Sequence, residues 1–148
     1  VERNVMFIIL TLIIIVAAFN IISGLTILVK NKTKEIAILR TLGISRNSIA
    51  KIFFLTGFTI GLLATITGVI VGILFSYYIE EIRVLITTIF NIRLFPEEIY
   101  FLSQIPSEIN LVYISIISFF SLLITFLATI LPSASAAKLD PIKALKYE

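Results

Sequence analysis

The chain has no cysteine and no histidine. The first absence excludes a disulfide framework and a thiolate site; the second removes the commonest metal ligand and general base. Metal-dependent hydrolysis and triad-type nucleophilic catalysis have no residues to run on, so neither an enzyme nor a cofactor-binding or metal-binding protein is expected. Charge is scarce too. Of 148 residues only 14% are charged against 59% hydrophobic, and the mean hydropathy is +1.11. That is too apolar for an ordinary soluble domain and points to an integral membrane protein. The formal net charge of +3 says less than where the charges fall, and nothing indicates nucleic-acid binding. There is no GxxxxGK[ST] motif, so the chain does not itself hold ATP in the P-loop manner. No signal peptide is readable, and the chain starts at Val1 without an initiator Met; a piece of a longer protein is expected.

What is present is three stretches free of Asp, Glu, Lys and Arg: residues 5–29, 52–79 and 109–137. Each can cross a hydrocarbon core, which takes about 20 helical residues. Pro132 cannot continue the hydrogen-bond ladder, so the third span is expected to occupy residues 111–131. The fold class is all-α, with three transmembrane helices. The remaining segments are a stub at 1–4, a loop at 30–51, a loop at 80–110 and a tail at 132–148.

The loops set the orientation. Residues 30–51 carry Lys30, Lys32, Lys34, Arg40, Arg46 and Lys51 against Glu35, and the tail carries Lys138, Lys143 and Lys146. The loop at 80–110 has only Arg83 and Arg93 beside Glu80, Glu81, Glu97, Glu98 and Glu108. Basic loops stay in the cytoplasm, which puts the first loop and the tail there and Val1 on the far side. A chain that starts outside without a signal needs an earlier span upstream.

Inside the basic loop, residues 35–42 read as a short amphipathic helix. Ile36 and Leu39, with Ile38 and Leu42 more loosely, form its apolar side; Thr33 is the candidate N-cap and Gly43 the stop. Such a helix lies parallel to the membrane, on lipid or in a groove of another protein. In the outer loop, residues 81–94 extend the second helix, Phe95-Pro96 breaks it, and residues 99–105 are extended. In the tail, Asp140 before Pro141 is an N-cap acid followed by proline at the first helical position, which predicts a short helix over 142–147.

Two features lie within the spans. Gly57, Gly61, Ala64, Gly68 and Gly72 form a stripe of small residues within an arc of roughly 80° at 100° per residue. The stripe suits close helix packing, or a sliding interface. Ala17, Asn20 and Gly24 share one side of the first span; an amide in hydrocarbon needs partners, on a neighbouring helix or on a transported molecule. Ser115, Ser118, Ser121, Thr125 and Thr129 are expected to bond to their own helix carbonyls. No span carries an ionisable side chain, which argues against proton relays, ion coupling and voltage sensing.

The segments AAFNIISGLTILVKNKTKEIAILRTLGISRNSI, YFLSQIPSEI and LPSASAAKLDPIKALKYE, with the glycine-striped helix between the first two, resemble the permease subunits of lipoprotein-releasing (Lol) ABC transporters, the LolC/LolE family. A broader group of MacB-like and FtsX permeases is similar in the EIAILRTLG and DPIKAL patches. The resemblance implies four spans with a large periplasmic domain between the first two, so that this chain begins just before the second. It implies that the helix at 34–43 is a cytoplasmic coupling helix, with Glu35, Ile36, Ala37, Leu39, Arg40 and Gly43 contacting or shaping the interface with a LolD-type ABC ATPase subunit. It also implies a second permease subunit in a homo- or heterodimer, a lipoprotein substrate facing Ala17, Asn20 and Gly24, and the inner membrane of a Gram-negative-type bacterium. Ser133, Ala134 and Ser135 stand where many relatives carry basic residues. The alternatives are an FtsX-like or MacB-like mechanotransmitting protein, for signalling or other export, and an inactive truncated fragment.

Overall fold

The computed structural model describes residues 1–90 and 107–146. Its elements are helices: α1 (Glu2–Asn31), α2 (Thr33–Thr41), α3 (Arg46–Tyr77), α4 (Ile79–Phe90), α5 (Leu111–Ala137) and α6 (Pro141–Lys146). The three long ones, of 30, 32 and 27 residues, are long and apolar enough to cross a membrane. At 1.5 Å per residue they measure about 40–48 Å, more than the ~30 Å of hydrocarbon, so their ends extend into the interfaces. Large apolar side chains such as Phe19, Val71 and Val112 stand exposed along them. In water that would be prohibitive; in a bilayer, lipid covers them. Hydroxyls on these helices are satisfied locally, Thr11 donating to the Phe7 carbonyl at 2.8 Å, Thr26 to Ile22 at 2.6 Å and Thr56 to Ile52 at 2.8 Å. A bilayer core offers no water to do this instead.

The chain divides into two compact units, Val1–Thr65 with Phe119–Glu148, and Ile66–Ser118. The first unit holds the buried core. Val29 from α1, Ile36 from α2, Ile49 and Phe53 from α3 and Ala136 from α5 form one apolar cluster, flanked by Leu28, Ile44 and Leu139. Further along α3, Gly57 and Gly61 are buried against neighbouring helices. A Cβ placed on Gly57 would lie 2.5 Å from both Leu25 Cδ1 and Thr129 Cγ2, and one on Gly61 would collide with Thr125 Cγ2. Here the small-residue stripe does what close packing in lipid requires. Beside it, Phe126 meets Phe54 edge-on at 5.1 Å between centroids, and the Thr65 and Ser121 hydroxyls lie 3.4 Å apart. Thr125 and Thr129 bond back to the Ser121 and Thr125 carbonyls, as expected of them.

Pro132 does not end the third span, contrary to the expected stop at Leu131: α5 continues through it to Ala137, with Pro132 buried. The proline removes one backbone donor, but Ser133 Oγ donates to the Thr129 carbonyl at 2.7 Å and Ser135 Oγ to Leu131 at 3.1 Å. Hydroxyls and packed neighbours of this kind make proline tolerable in membrane helices. Ser133 and Ser135 therefore bond to their own helix backbone.

In the second unit, α3 reaches Tyr77 and α4 begins at Ile79. The ladder passes through the break, Tyr78 N–H donating to Leu74 and its carbonyl accepting from Ile82, both at 3.0 Å. The expected extension of the second span is thus a separate helix, and its expected part beyond Phe90 lies outside the described residues, as do the Phe95-Pro96 break and the extended segment at 99–105. Glu80 and Arg83 pair across one turn of α4. Ser107 Oγ donates to the Ser76 carbonyl at 3.1 Å, and Asn110 caps α5 by accepting from Val112 N–H at 3.0 Å.

Candidate functional site

The nine-residue helix α2, between α1 and α3, is where the sequence places its densest basic charge, and its construction decides what it can offer. It follows α1 after the single residue Lys32, with no side-chain cap. Thr33, the expected N-cap, instead donates back into α1, to the Lys30 carbonyl at 2.8 Å and Val29 at 3.1 Å. The ladder of α2 begins at that junction residue, Ile36 N–H donating to the Lys32 carbonyl at 2.9 Å. The far end matches expectation. Gly43 sits at φ +93°, its N–H donates to the Arg40 carbonyl and that of Ile44 to Leu39, both at 3.1 Å. This is the Schellman arrangement, which needs a residue free of Cβ at the left-handed position. Arg40 Nη1 braces the turn by donating to the Ile44 carbonyl at 3.1 Å. α3 then starts on Ser45, whose Oγ accepts from Ser48 N–H at 3.2 Å, a cap the sequence announced with a Ser-x-x-Ser pattern and the reading above missed.

The apolar side of α2 is not the one expected. Ile36 is 2% exposed and Ala37 0%, and Ile36 is turned into the cluster where α1, α3 and α5 meet. Those two residues are consumed by the chain itself and present nothing to another molecule. Ile38 and Leu42 stand roughly 200–240° around the helix from Ile36. They are 45% and 74% exposed, so the outward face of α2 is also apolar. Leu39 and Arg40 are half-buried at its flank, while Glu35 is exposed and pairs with Lys32 at 2.7 Å. Of the six residues assigned to a coupling surface, Ile36 and Ala37 anchor, Arg40 and Gly43 shape the turn, Leu39 lies at the edge, and Glu35 faces out. Against this helix lies α6, begun as expected by Asp140, whose Oδ1 accepts from Ile142 N–H at 3.0 Å.

Elsewhere the structure separates what the sequence grouped. Gly57 and Gly61 are packed, but Gly68 and Gly72 have nothing within 4 Å of an added Cβ, and Ala64 is exposed. Ala17, Asn20 and Gly24 are all exposed on α1; Asn20 meets no other helix of the chain through a hydrogen bond among the described residues.

Three membrane-length helices, with a short helix buried against a shared apolar cluster, define a multi-pass integral membrane protein. The FtsX-like permease C-terminal model matches residues 7–141, and the chain belongs to that family. It is 40% identical over 147 residues to the lipoprotein-releasing system transmembrane protein LolC of Xylella fastidiosa strain 9a5c, covering 99% of this chain and 36% of that one. The LolC of Neisseria meningitidis serogroup B is 40% identical over 147 residues, covering 99% and 35%. The LolE of Haemophilus influenzae is 33% identical over 143 residues, covering 97% and 34%. The chain thus spans about a third of the length of the curated relatives it matches, and it resembles the LolC/LolE branch of its family.

Proposed function

We propose that this chain is the C-terminal part of an inner-membrane ABC transporter permease that turns ATP hydrolysis by a separate LolD-type ATPase into release of lipoproteins toward the outer membrane. The proposal rests on the two-faced build of α2. Ile36 fixes it to the ends of three spans through Val29, Ile49, Phe53 and Ala136, so a force applied to α2 reaches all three at once. Ile38 and Leu42, on the opposite side, point away from those span ends. That face is the docking surface, in the cytoplasm by the distribution of Lys and Arg. It replaces the face around Ile36 and Leu39 as the ATPase contact. The sequence holds no P-loop motif, and the part proposed for the chain is mechanical.

Two further roles belong to this reading. Ala17, Asn20 and Gly24 face the lipoprotein cavity, because an amide on an apolar span needs a polar partner from outside this chain. Gly68 and Gly72 meet the second permease subunit, because small residues on a lipid-facing stripe admit a helix backbone closely.

The test is the intact permease carrying Ile38→Asp and Leu42→Asp. Both positions are exposed, so membrane insertion is expected to be unchanged, while retention of the ATPase subunit on purification and permease-stimulated ATP hydrolysis fall about 10-fold or more, as for truncated hot spots. Normal assembly and hydrolysis would sink the reading.

A further inference from the structure

The three spans that share a cluster with α2 are not equally stiff. α1 and α3 contain no proline, whereas α5 runs through the buried Pro132. Pro132 has no N–H to give the Ala128 carbonyl, and its ring crowds that carbonyl. Sharp bends in long helices fall at such positions. The carbonyls beside it are held from the side instead, Thr129 by Ser133 Oγ at 2.7 Å and Leu131 by Ser135 Oγ at 3.1 Å. Hydroxyl bonds of this kind also favour bending.

Pro132 divides two kinds of contact. Before it, α5 is keyed into α3. Thr129 Cγ2 lies 2.5 Å from where a Cβ on Gly57 would be, and Thr125 fills the same notch at Gly61. Both threonines are held by their hydroxyls on the Ser121 and Thr125 carbonyls, and Phe126 meets Phe54 and Phe58 edge-on. After Pro132 the contact is smooth. Ala136, fully buried, sits among Val29, Ile36, Ile49 and Phe53. These side chains are all apolar, so no hydrogen bond between them has to break when one slides on another.

We infer that Pro132 is a hinge: residues 133–137 swing with α2, while residues 119–131 stay keyed to α3. This rests on the reading that the ATPase acts on α2. α5 then yields to the force where the unbroken α1 and α3 do not. The arm from Pro132 to Lys138 measures about 9 Å at 1.5 Å per residue, and a kink of about 20° carries its end about 3 Å.

Spin-label distances in the intact permease–ATPase complex test this. The labels sit on cysteines introduced as Lys138→Cys with Leu55→Cys, or Leu127→Cys with Leu55→Cys. All three positions are exposed, and the chain supplies no cysteine of its own. Between the nucleotide-free and the vanadate-trapped complex the first distance is expected to shift by about 3 Å, and the second to hold. Pro132→Ala, which returns the N–H, is expected to abolish the shift with ATPase retention unchanged. ATP-driven lipoprotein release should then fall at least about 5-fold, the low end for coupling between distant sites. Pro132→Gly also removes the ring but leaves the backbone easy to bend, and is expected to keep both shift and release. A role in packing alone predicts the opposite order, since glycine leaves the larger void. Three results, each with the ATPase still retained, overturn the hinge and leave the α2 reading standing: no shift in the first distance, release kept by Pro132→Ala, or release lost equally in both variants. A shift that persists in full with Ile38→Asp and Leu42→Asp supports the hinge and overturns the docking face.

Discussion

One helix, α3, carries the same residue types along its length and lives in two conditions. Its first half, through Gly61, has Ile49, Phe53, Gly57 and Gly61 buried at one-turn intervals. Its second half repeats the spacing with Gly68 and Gly72, but both are open, and Ile70 and Leu74 are more than half exposed. A glycine every fourth residue is an invitation to a helix backbone, and only the first half has it accepted within this chain. Packing, not the motif, distinguishes them, and the difference divides labour: the first half is fixed where α2 is strapped on, and the second keeps a face for molecules outside the chain.

The sharpest way to break this comparison is a cavity in the fixed half. Ile49 is 1% exposed within the cluster that also holds Ile36. Ile49→Ala is expected to cost about 2–5 kcal/mol, the transfer of the lost methyls plus the void they leave. Ile70→Ala, at a position 52% exposed, should stay within about 0.5 kcal/mol. Reversible unfolding of the protein in mixed micelles gives both values, and equal effects would erase the distinction between the halves.

The glycines make the same test in the opposite sense, by adding atoms. At Gly61 a methyl meets Thr125, which cannot swing away freely because its hydroxyl is bonded to the Ser121 carbonyl at 2.9 Å. Gly61→Ala is expected to destabilise by about 1–3 kcal/mol, the usual range for overpacking. Gly68→Ala and Gly72→Ala meet no atom among the described residues, and replacing glycine in a helix interior by alanine stabilises by about 0.5–1 kcal/mol. A change of sign along one stripe is the signature, read from the same unfolding experiment. If Gly68→Ala loses the second permease subunit while this chain becomes more stable, the open half is assigned to an interface.

The sequence shows the three spans plainly, because twenty-five or so uncharged residues in a row admit few other readings. It shows that a short helix lies between two of them, and where Gly43 stops it. It does not show which side of that helix turns inward. Positions 36, 37, 38, 39 and 42 are all apolar or small, so no single stripe exists, and the choice is made by Val29, Ile49, Phe53 and Ala136, which arrive from three other helices. Nor does it show that α5 runs through Pro132: proline ends helices in water by removing a donor and crowding the preceding turn, whereas packed neighbours in a membrane bundle tolerate it. The glycine stripe was legible as chemistry and illegible as contact, since identical residues at identical spacing differ only in what lies opposite.

Smaller effects ask whether the fixed end is held by burial or by its local turns. Gly43 is at φ +93° with nothing near its missing Cβ, so Gly43→Ala strains only the backbone and should cost about 1–2 kcal/mol. The cost arises at the Schellman turn that joins α2 to α3, and amide exchange should rise at Ile44 and along the last turn of α2 while the buried cluster keeps its protection. Asp140→Ala removes the cap of α6, worth about 0.5–2 kcal/mol locally. Because α6 has only six residues and none of them buried, that loss frays the helix and leaves the global unfolding midpoint where it was. Exchange should accelerate at Ile142 and Ala144, and the Ile36 and Ile49 amides should be unmoved. If instead the fray reaches α2 and loosens Ile36, the strap across the span ends depends on the tail as well as on its own buried face, and the fixed half of α3 owes part of its rigidity to the last helix of the chain.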